Sequence, residues 1–449
     1  MHIEELTSQE VVQELDKYII GQQNAKKSVA IALRNRWRRS KTSESIKHEI
    51  FPNNIILIGP TGVGKTEIAR RLAKLTNAPF VKVEATKYTE VGYIGRDVES
   101  MVRDLAEQSA ILVKQKKINE LEDIATQNAY KIILEKLLPS TNTLSSFDLG
   151  DEADGEDFEQ LNTDTFNSLK NGELNDKIIE IDVQIESSVQ VLGPFGGGDE
   201  FSMQLQDMMG SMLPKKFKKK STNIAEAFQI IKNQELEKAL DLDSISKEAI
   251  ANAENNGIIF IDEIDKIASK HSQSSSPDVS REGVQRDLLP IIEGTAVQTK
   301  YGILRTDHVL FIASGAFHVS KPSDLIPELQ GRFPIRVELQ ALSEQDFIEI
   351  LTKPENAILK QYQALLSTEN VELHFTDEAI QEIAASAVFI NDQTANIGAR
   401  RLQTILSALL EDLMYESKGD SKTYTVDKDY VVEKIKAISG KIDVGMFIL

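Results

Sequence analysis

The first clear pattern along the chain is an amphipathic one. Apolar residues recur at helical spacing at Ala25, Val29, Ala32 and Leu33. This spacing predicts a helix over residues 22–39, and the polar end of that segment is strongly basic.

Short apolar segments follow, and their β-branched content is typical of buried parallel strands. They cover residues 54–58, 80–83, 257–262, 308–314 and 335–339. A glycine-rich loop and a helical segment separate the first two, and strand, loop, helix and strand in this order form a βαβ unit. The pattern predicts an α/β fold whose core is a three-layer domain with a parallel sheet at its centre.

The α/β pattern is interrupted between residues 111 and 243. This part begins with a charged helical segment, and residues 148–200 are rich in Asp, Glu, Asn, Ser and Gly. We therefore predict an inserted, mainly helical domain with a disordered acidic middle. A methionine-rich piece at residues 203–212 favours a packing surface over a cofactor site. The lysine run at residues 215–220 favours a solvated face over a nucleic-acid patch.

The last part of the chain is mostly helical, and residues 397–414 form a long amphipathic segment. The predicted domains are a discontinuous nucleotide-binding domain (1–110 and 244–339), the inserted domain (111–243) and a C-terminal α-helical domain (340–449).

Composition limits the class of protein. The 449 residues are enough for two or three domains, and 41% hydrophobic and 27% charged residues are typical of a soluble globular protein. The net charge of −19 argues against nucleic acid as the main partner, because phosphate contacts need a basic face. No apolar run approaches a membrane span, there are no cysteines, and the acidic start lacks a signal pattern. We therefore expect a cytoplasmic protein without a membrane partner.

The candidate chemistry begins directly after the first strand. The sequence G-P-T-G-V-G-K-T at residues 59–66 matches a phosphate-binding loop at every position. Glycines let the backbone amides of such a loop face a polyphosphate at a helix N-terminus. Lys65 is predicted to reach the β- and γ-phosphates, and the Thr66 hydroxyl to bind Mg²⁺. The residues predicted to bind nucleotide here are Gly62, Val63, Gly64, Lys65, Thr66 and Glu67.

Two adjacent acids close another predicted strand. A carboxylate at the end of a buried strand can hold Mg²⁺ through water, which is the role predicted for Asp262. Glu263 is placed to orient or deprotonate the attacking water. Together with Lys65, this pair predicts a magnesium-dependent ATPase. The sequence has no G-x-S-x-G, no H-E-x-x-H and no cysteine nucleophile, so no peptidase site is evident.

Long motifs carry a resemblance to a known family. They are I-I-G-Q-Q-N-A-K from residue 19, the phosphate loop, P-D-V-S-R-E-G-V-Q-R-D-L-L from residue 277, and I-P-E-L-Q-G-R ending at residue 332. With them the chain resembles the AAA+ ATPases and, among these, the HslU (ClpY) family, least closely between about residues 114 and 224. The resemblance implies a homo-hexameric ring that uses ATP to unfold protein substrates, threads them into an HslV-type peptidase and activates that peptidase.

The resemblance also implies roles for single residues. Ile20 would line the adenine pocket, and Ser314 would sense the γ-phosphate. Arg332, with Glu328 close by, would be an arginine finger inserted into the neighbouring subunit's site. Arg400 would be a second sensor that couples the C-terminal domain to nucleotide.

Two further segments are assigned by the resemblance. Gly92, Tyr93, Ile94 and Gly95 would form the pore loop that grips substrate, with Ile94 where the family usually has valine. A tight turn around a buried tyrosine is the alternative interpretation.

The end of the chain, residues 443–449, resembles the family's tail that docks on the peptidase. Phe447, Ile448 and Leu449 match, whereas the residues before them depart from the usual Leu-Ser-Arg. A frayed terminus is the alternative.

Two other functions remain open at this point. A nucleic-acid motor or clamp loader of the same superfamily is disfavoured by the negative charge, the aromatic loop and the apolar tail. The sister unfoldase ClpX would carry a cysteine-rich zinc module and an Ile-Gly-Phe loop, which this sequence lacks.

Overall fold

The computed structural model of the chain describes residues 6–47, 49–88, 97–137, 165–185, 216–268, 279–417, 419 and 422–439. The chain divides into two compact units. The first consists of Met1–Val113 with Ser246–Leu449, and the second of Lys114–Ile245. The three-domain division drawn from the sequence stays a prediction.

The helices and strands follow one another along the chain in this order: α1 (Ser8–Asp16), α2 (Gln23–Ser40), α3 (Glu44–Lys47), β1 (Ile55–Ile58), α4 (Lys65–Leu75), β2 (Phe80–Glu84), α5 (Ser100–Leu137), β3 (Ile178–Ile185), β4 (Lys216–Asn223), α6 (Ile224–Ala239), α7 (Leu242–Asn256), β5 (Ile258–Asp262), α8 (Val279–Glu293), β6 (Ala296–Thr299), β7 (Gly302–Arg305), β8 (Leu310–Gly315), α9 (Pro327–Arg332), β9 (Ile335–Glu338), α10 (Glu344–Thr352), α11 (Ile358–Ser367), β10 (Val371–Phe375), α12 (Asp377–Gln393), α13 (Arg400–Glu416), β11 (Lys422–Val426) and α14 (Lys428–Ser439).

The centre of the first unit is a five-stranded parallel sheet with the strand order β2-β5-β8-β1-β9. On β5, Ile259 and Ile261 pack on one face, while Ile258 and Phe260 pack on the other. Both faces are covered, which explains why the strands read as unbroken apolar runs. The helix predicted over residues 22–39 and the five predicted strands are confirmed to within two residues at each end.

The register of the sheet decides where the polar side chains meet. Ile261 of β5 pairs with Ala313 of β8, and Ser314 of β8 pairs with Leu57 of β1. The carboxyl ends of parallel strands meet at one edge of a sheet, where open α/β sheets bind their ligands. The phosphate-loop candidate therefore lies at the same edge as Asp262 and Ser314.

The C-terminal part of the first unit has a hydrophobic core of its own. Buried side chains of α10 to α14, among them Leu351, Ile383, Leu406 and Val431, form one cluster with β10 and β11. These two strands form a short parallel pair. The amphipathic segment predicted at 397–414 is confirmed as α13, which begins three residues later than predicted because a turn precedes it.

The second unit contains a feature that the sequence analysis missed. β3 and β4 form an antiparallel ladder that runs from the pair Ile178–Asn223 to the pair Ile185–Lys216. Ile179 and Ile181 of this ladder pack with Ile133 of α5 in a small core. The apolar and polar residues of β3 alternate, and this period-2 pattern was the available signal.

The prediction of a disordered acidic middle in the insertion is wrong for one stretch. Residues 165–185 fall within the predicted disordered stretch, yet they form a short helix and β3. The remaining acidic residues and the methionine-rich piece lie outside the described residues. Lys218, Lys219 and Lys220 belong to β4 and are exposed, as predicted for a solvated face.

Candidate functional site

The loop between β1 and α4 has the backbone of an anion site. Gly62 and Gly64 have φ angles of 77° and 100°, in the left-handed region that favours glycine. α4 begins at Lys65, so its first amide groups have no partners within the helix. They point to where a phosphate would lie, and the helix dipole favours a negative charge there.

The Lys65 ammonium group is held inside this loop. Its Nζ donates hydrogen bonds to the carbonyl oxygens of Gly59 at 2.5 Å and Pro60 at 2.6 Å. Burial lowers the pKa of Lys65, although the charges of Asp262 and Asp265 act in the opposite direction. A half-buried cation of this kind gains most from a ligand that carries negative charge.

Asp262 lies at the end of β5 and is held on both of its oxygens. The Ser314 hydroxyl donates to Oδ1 at 2.5 Å, and the Lys82 ammonium contacts Oδ2 at 2.9 Å. Burial opposes the charge on Asp262, but these two donors outweigh it and lower the pKa of the carboxyl group. Asp262 is therefore ionised at neutral pH, as a metal-binding carboxylate must be. Lys82 was not predicted, because a lysine on a strand carries no motif.

Glu263 is turned out of the strand by an unusual backbone conformation. Its φ angle is 57°, which few residues other than glycine adopt. The Thr86 hydroxyl, from the turn after β2, donates to Glu263 Oε2 at 3.5 Å, the outer limit for such a bond. Strained residues of this kind concentrate at functional sites. The backbone thus leaves the strand at Glu263, and its carboxylate lines the same cleft as Asp262.

These groups line one cleft at the carboxyl edge of the sheet. Its walls include Gly62, Gly64, Lys65, Thr66, Glu67, Lys82, Asp262, Glu263, Asp265 and Arg400. The Thr66 hydroxyl and the carboxylates supply oxygen donors, which are the ligands that Mg²⁺ prefers. No cluster of three or more His, Asp or Glu side chains suited to a metal occurs among the described residues. Thr66 and Asp262 together fit a magnesium ion that takes its remaining ligands from water and phosphate.

A turn from the C-terminal part closes over the phosphate loop. The backbone amide of Ala399 donates to the Gly62 carbonyl at 3.1 Å. A Cβ on Gly62 would lie 2.0 Å from the Ile397 carbonyl oxygen, and one on Gly398 would lie 2.5 Å from that of Thr61. The two backbones can approach this closely only because both residues are glycine. It brings the exposed Arg400 into the wall of the cleft.

Arg401, unlike its neighbour Arg400, points into the protein, and it was not among the predicted site residues. It is only 2% exposed, and its guanidinium donates to Asn391 Oδ1 at 3.2 Å, Thr394 Oγ1 at 2.9 Å and the Ala395 carbonyl at 3.1 Å. Asn391 in turn donates to the Gly398 carbonyl at 3.2 Å. Arg401 is thus a positioning residue for the turn that contacts the phosphate loop.

This arrangement gives a paired prediction for two adjacent arginines. Arg401→Met is expected to lower the free energy of unfolding by about 2–4 kcal/mol, because it removes three hydrogen bonds made by a buried guanidinium. Arg400→Met, on the exposed side, is expected to leave stability unchanged and to weaken ATP binding. Urea unfolding and nucleotide titration of both variants test this. Equal loss of stability in both variants would contradict the division of roles.

Comparison with known proteins identifies the family of the chain. An AAA domain model (dynein-related subfamily) matches residues 54–177, another (Cdc48 subfamily) matches residues 184–336, and the C-terminal D2-small domain of ClpB protein matches residues 342–426. The chain is 52% identical to the ATP-dependent protease ATPase subunit HslU of Persephonella marina over 453 residues, 99% of both chains. It is also 52% identical to the ATPase subunit ClpY of Bacillus subtilis over 462 residues, again 99% of both.

The chain belongs to the HslU (ClpY) family of AAA+ ATPases. The resemblance stated from the motifs is thereby confirmed, and so is the α/β AAA+ fold. The chain is therefore an ATPase.

Some of the residues predicted to bind nucleotide do not line the cleft. Ile20 is half-buried and does not line it, whereas its neighbour Ile19 is buried and faces Gly64. Val63 is buried in the core and lines a small depression behind the loop, together with Pro60 and other residues.

Arg332 and Glu328 lie on α9, away from their own subunit's cleft. The exposed Arg332 guanidinium pairs with Glu293, with N–O distances of 3.0 and 3.1 Å. The buried Asn54 side chain donates to the Arg332 carbonyl at 3.1 Å and so fixes the end of α9 against the sheet. Glu328 lines a separate depression that also contains Arg286. Within the described residues, neither side chain contacts the phosphate loop.

The pore-loop residues Gly92, Tyr93, Ile94 and Gly95 and the tail residues Phe447, Ile448 and Leu449 lie outside the described residues. Their roles stay predictions. No helix in the described part of the chain is long and apolar enough to cross a membrane.

Proposed function

We propose that this HslU-family chain hydrolyses magnesium-bound ATP within a homo-hexameric cytoplasmic ring. The ring unfolds protein substrates and passes them to an HslV-type peptidase that it also activates. The observation that best supports this is the cleft that combines Lys65 and Asp262 with Arg400 from the C-terminal part, with the buried Ser314 bonded to Asp262.

ATP binding is assigned to the phosphate loop and the first turn of α4. The free amides of the loop and the Lys65 ammonium would surround the β- and γ-phosphates. On binding, Lys65 would exchange the carbonyls of Gly59 and Pro60 for phosphate oxygens, since charge-assisted bonds to phosphate are stronger than bonds to neutral carbonyls.

Thr66 and Asp262 would hold the magnesium ion. When bound, Mg²⁺ neutralises charge that develops on the phosphates during transfer. Lys82 and Ser314 already occupy both oxygens of Asp262, so one of them must yield or share its oxygen with a metal-bound water. A change in what Asp262 binds would then alter its hydrogen bond to Ser314, which lies on β8 at the centre of the sheet.

Hydrolysis needs a base or an orienting group for water. Glu263 is assigned this role because its backbone turns the carboxylate beside Asp262 and Thr86 restrains it. Arg332 would complete the site of the neighbouring subunit, which accounts for its distance from its own cleft. Arg400 would report on the nucleotide through the turn that contacts Gly62.

The mechanical part of the proposal rests on the sequence. Tyr93 between glycines would grip an unfolded chain, because an aromatic ring packs against side chains of any type. The tail would dock Phe447, Ile448 and Leu449 with the terminal carboxylate into a pocket of the peptidase.

Deletion of residues 443–449 tests the assignment of the partner. The truncated ring is expected to keep its ATPase activity and to lose activation of an HslV-type peptidase, even toward small unfolded peptides. Each buried apolar side chain contributes about 1.5–3 kcal/mol before ordering costs, so one tail binds weakly and several bind strongly together. Peptide cleavage by the mixed proteins is the measurement.

The matched control keeps residues 447–449 and replaces residues 443–446 by serine. It is expected to activate the peptidase at least in part. Full activation by the truncated ring would show that the tail is a passive end and would redirect the search to the inserted domain.

A further inference from the structure

A buried lysine lies in the first turn of α2. Lys26 is only 1% exposed and is among the largest fully buried side chains of the described residues. Lysine is rarely buried so completely, because its ammonium group then loses its hydration. A methionine would fill nearly the same space without this cost, so the contacts of the ammonium group must account for the lysine.

The ammonium group of Lys26 holds two points of the segment before α2. Its Nζ donates to the Ile19 carbonyl at 2.5 Å and to Asp16 Oδ1, also at 2.5 Å. The Asp16 side chain is 41% exposed, so water also stabilises its charge. The bond to the Ile19 carbonyl is buried. Lys26 therefore fixes the backbone of residues 16–22, a segment that we call the connector.

One side of the connector packs against the phosphate loop. The buried Ile19 side chain belongs to the same core cluster as Val63 of that loop. A Cβ on Gly64 would lie 3.8 Å from Ile19 Cγ2, which is an ordinary van der Waals distance. The Arg71 guanidinium of α4 lies 4.0 Å from the centre of the Tyr18 ring. The connector thus supports both the loop and the helix that are proposed to surround the phosphates.

The other side of the connector is bonded to the C-terminal part. The Tyr18 hydroxyl donates to Glu355 Oε2 at 2.7 Å, and the Glu355 amide donates to the Lys17 carbonyl at 3.0 Å. The Gln22 side chain donates to the Gln340 carbonyl at 2.9 Å and accepts from the Gln340 amide at 3.1 Å. Gln22 has a φ angle of 56°, a strained conformation of the kind that concentrates at functional sites. These contacts depend on the exact shape of the connector.

We propose that Lys26 is a positioning residue for ATP binding, because it keeps the connector in the shape that contacts the phosphate loop and the C-terminal part together. Without the ammonium group the connector samples other shapes, and ATP binds only those chains in which it is ordered. The apparent affinity falls in proportion to that fraction. The acids proposed for catalysis lie at the end of β5, so the rate at saturating ATP changes little. The inference rests on the proposed binding of ATP at the phosphate loop.

Lys26→Met in the full chain tests the proposal. It removes the charge and leaves no buried charge unpaired, because the Asp16 carboxylate reaches water, so the fold is expected to persist. The dissociation constant for ATP and KM are expected to rise about ten-fold, the effect of losing one hydrogen bond from a charged group, while kcat stays within about two-fold. Nucleotide titration, steady-state ATPase rates and urea unfolding are the measurements. A merely structural role would lower the urea midpoint without separating KM from kcat.

The matched control is Lys27→Met. Lys27 is the next residue of α2 and is exposed, and its replacement is expected to change neither KM nor kcat.

A second variant tests the connector without touching the buried lysine. Tyr18→Phe keeps the aromatic ring and removes the hydroxyl that bonds Glu355, and it is expected to raise KM several-fold. Tyr362→Phe is its control, because it also removes a bonded hydroxyl from a half-buried ring, but one that contacts Ser407 within the C-terminal part. It is expected to leave KM unchanged.

Lys65→Ala separates this inference from the function on which it rests. If Lys65→Ala still binds ATP, the proposed site fails and the inference fails with it. If Lys65→Ala loses ATP while Lys26→Met binds it as tightly as the parent chain, only the inference is overturned. Equal weakening in Lys27→Met, or a fall in kcat at unchanged KM in Lys26→Met, also overturns it. If Lys26→Met does not fold, an unchanged KM in Tyr18→Phe overturns the proposal.

Discussion

Glu263→Gln is expected to bind ATP as tightly as the parent chain and to hydrolyse it about 10²–10⁴-fold more slowly. The amide has nearly the shape of the carboxylate but cannot accept a proton from the attacking water. The phosphate loop and Asp262 are untouched, so binding should persist. Nucleotide titration and phosphate release, measured on the same preparation, separate the two effects.

Lys65→Ala is the complementary variant. It removes the cation that faces the phosphates, so it is expected to lose binding and hydrolysis together. If Glu263→Gln hydrolysed ATP at near the parent rate, Glu263 would not be the catalytic base. Asp265, which also lines the cleft, would then be the next residue to test.

Arg332→Ala is expected to lower the ATPase rate of homogeneous rings by about 10³-fold, because an arginine finger contributes that much or more. The guanidinium is exposed, and only Glu293 pairs with it in the described residues, so it is available to another subunit. Rings that mix Arg332→Ala and Glu263→Gln chains should recover some turnover, because some interfaces combine an intact finger with an intact site.

The matched control for this experiment is Arg336→Ala. Arg336 is an exposed arginine of the neighbouring strand β9 that bonds Gln330, and its loss is expected to change the rate little. Absence of recovery in verified mixed rings would count against an intersubunit finger. An ATPase rate that does not depend on protein concentration down to the monomer would refute it.

The sequence predicted the parts of the site that depend on short contiguous motifs. The loop around Lys65 and the acids at residues 262 and 263 could be placed because each follows a buried strand, and parallel strands end at one edge. Ser314 came from the family resemblance, and its bond to Asp262 supports the assignment.

Residues that act through long-range contacts could not be predicted. Lys82, Thr86 and Arg401 reach the site from separate elements, and nothing local in the sequence marks them. The β3–β4 ladder was missed for another reason, since the acidic composition around it outweighed its alternating pattern. The place of Ile20 in an adenine pocket, which the family resemblance implies, stays a prediction.

The contact between the phosphate loop and the C-terminal turn limits how this protein can change. Gly62 and Gly398 lie far apart in the sequence. A Cβ atom added to either one would clash with the backbone of the segment that contains the other. Neither position can accept a larger residue while the opposite backbone stays in place. The two segments match separate family models, so recombination could in principle exchange one without the other. A chimera of that kind would fold each part correctly and still fail to close the turn over the loop unless both glycines and the Arg401 network came with it.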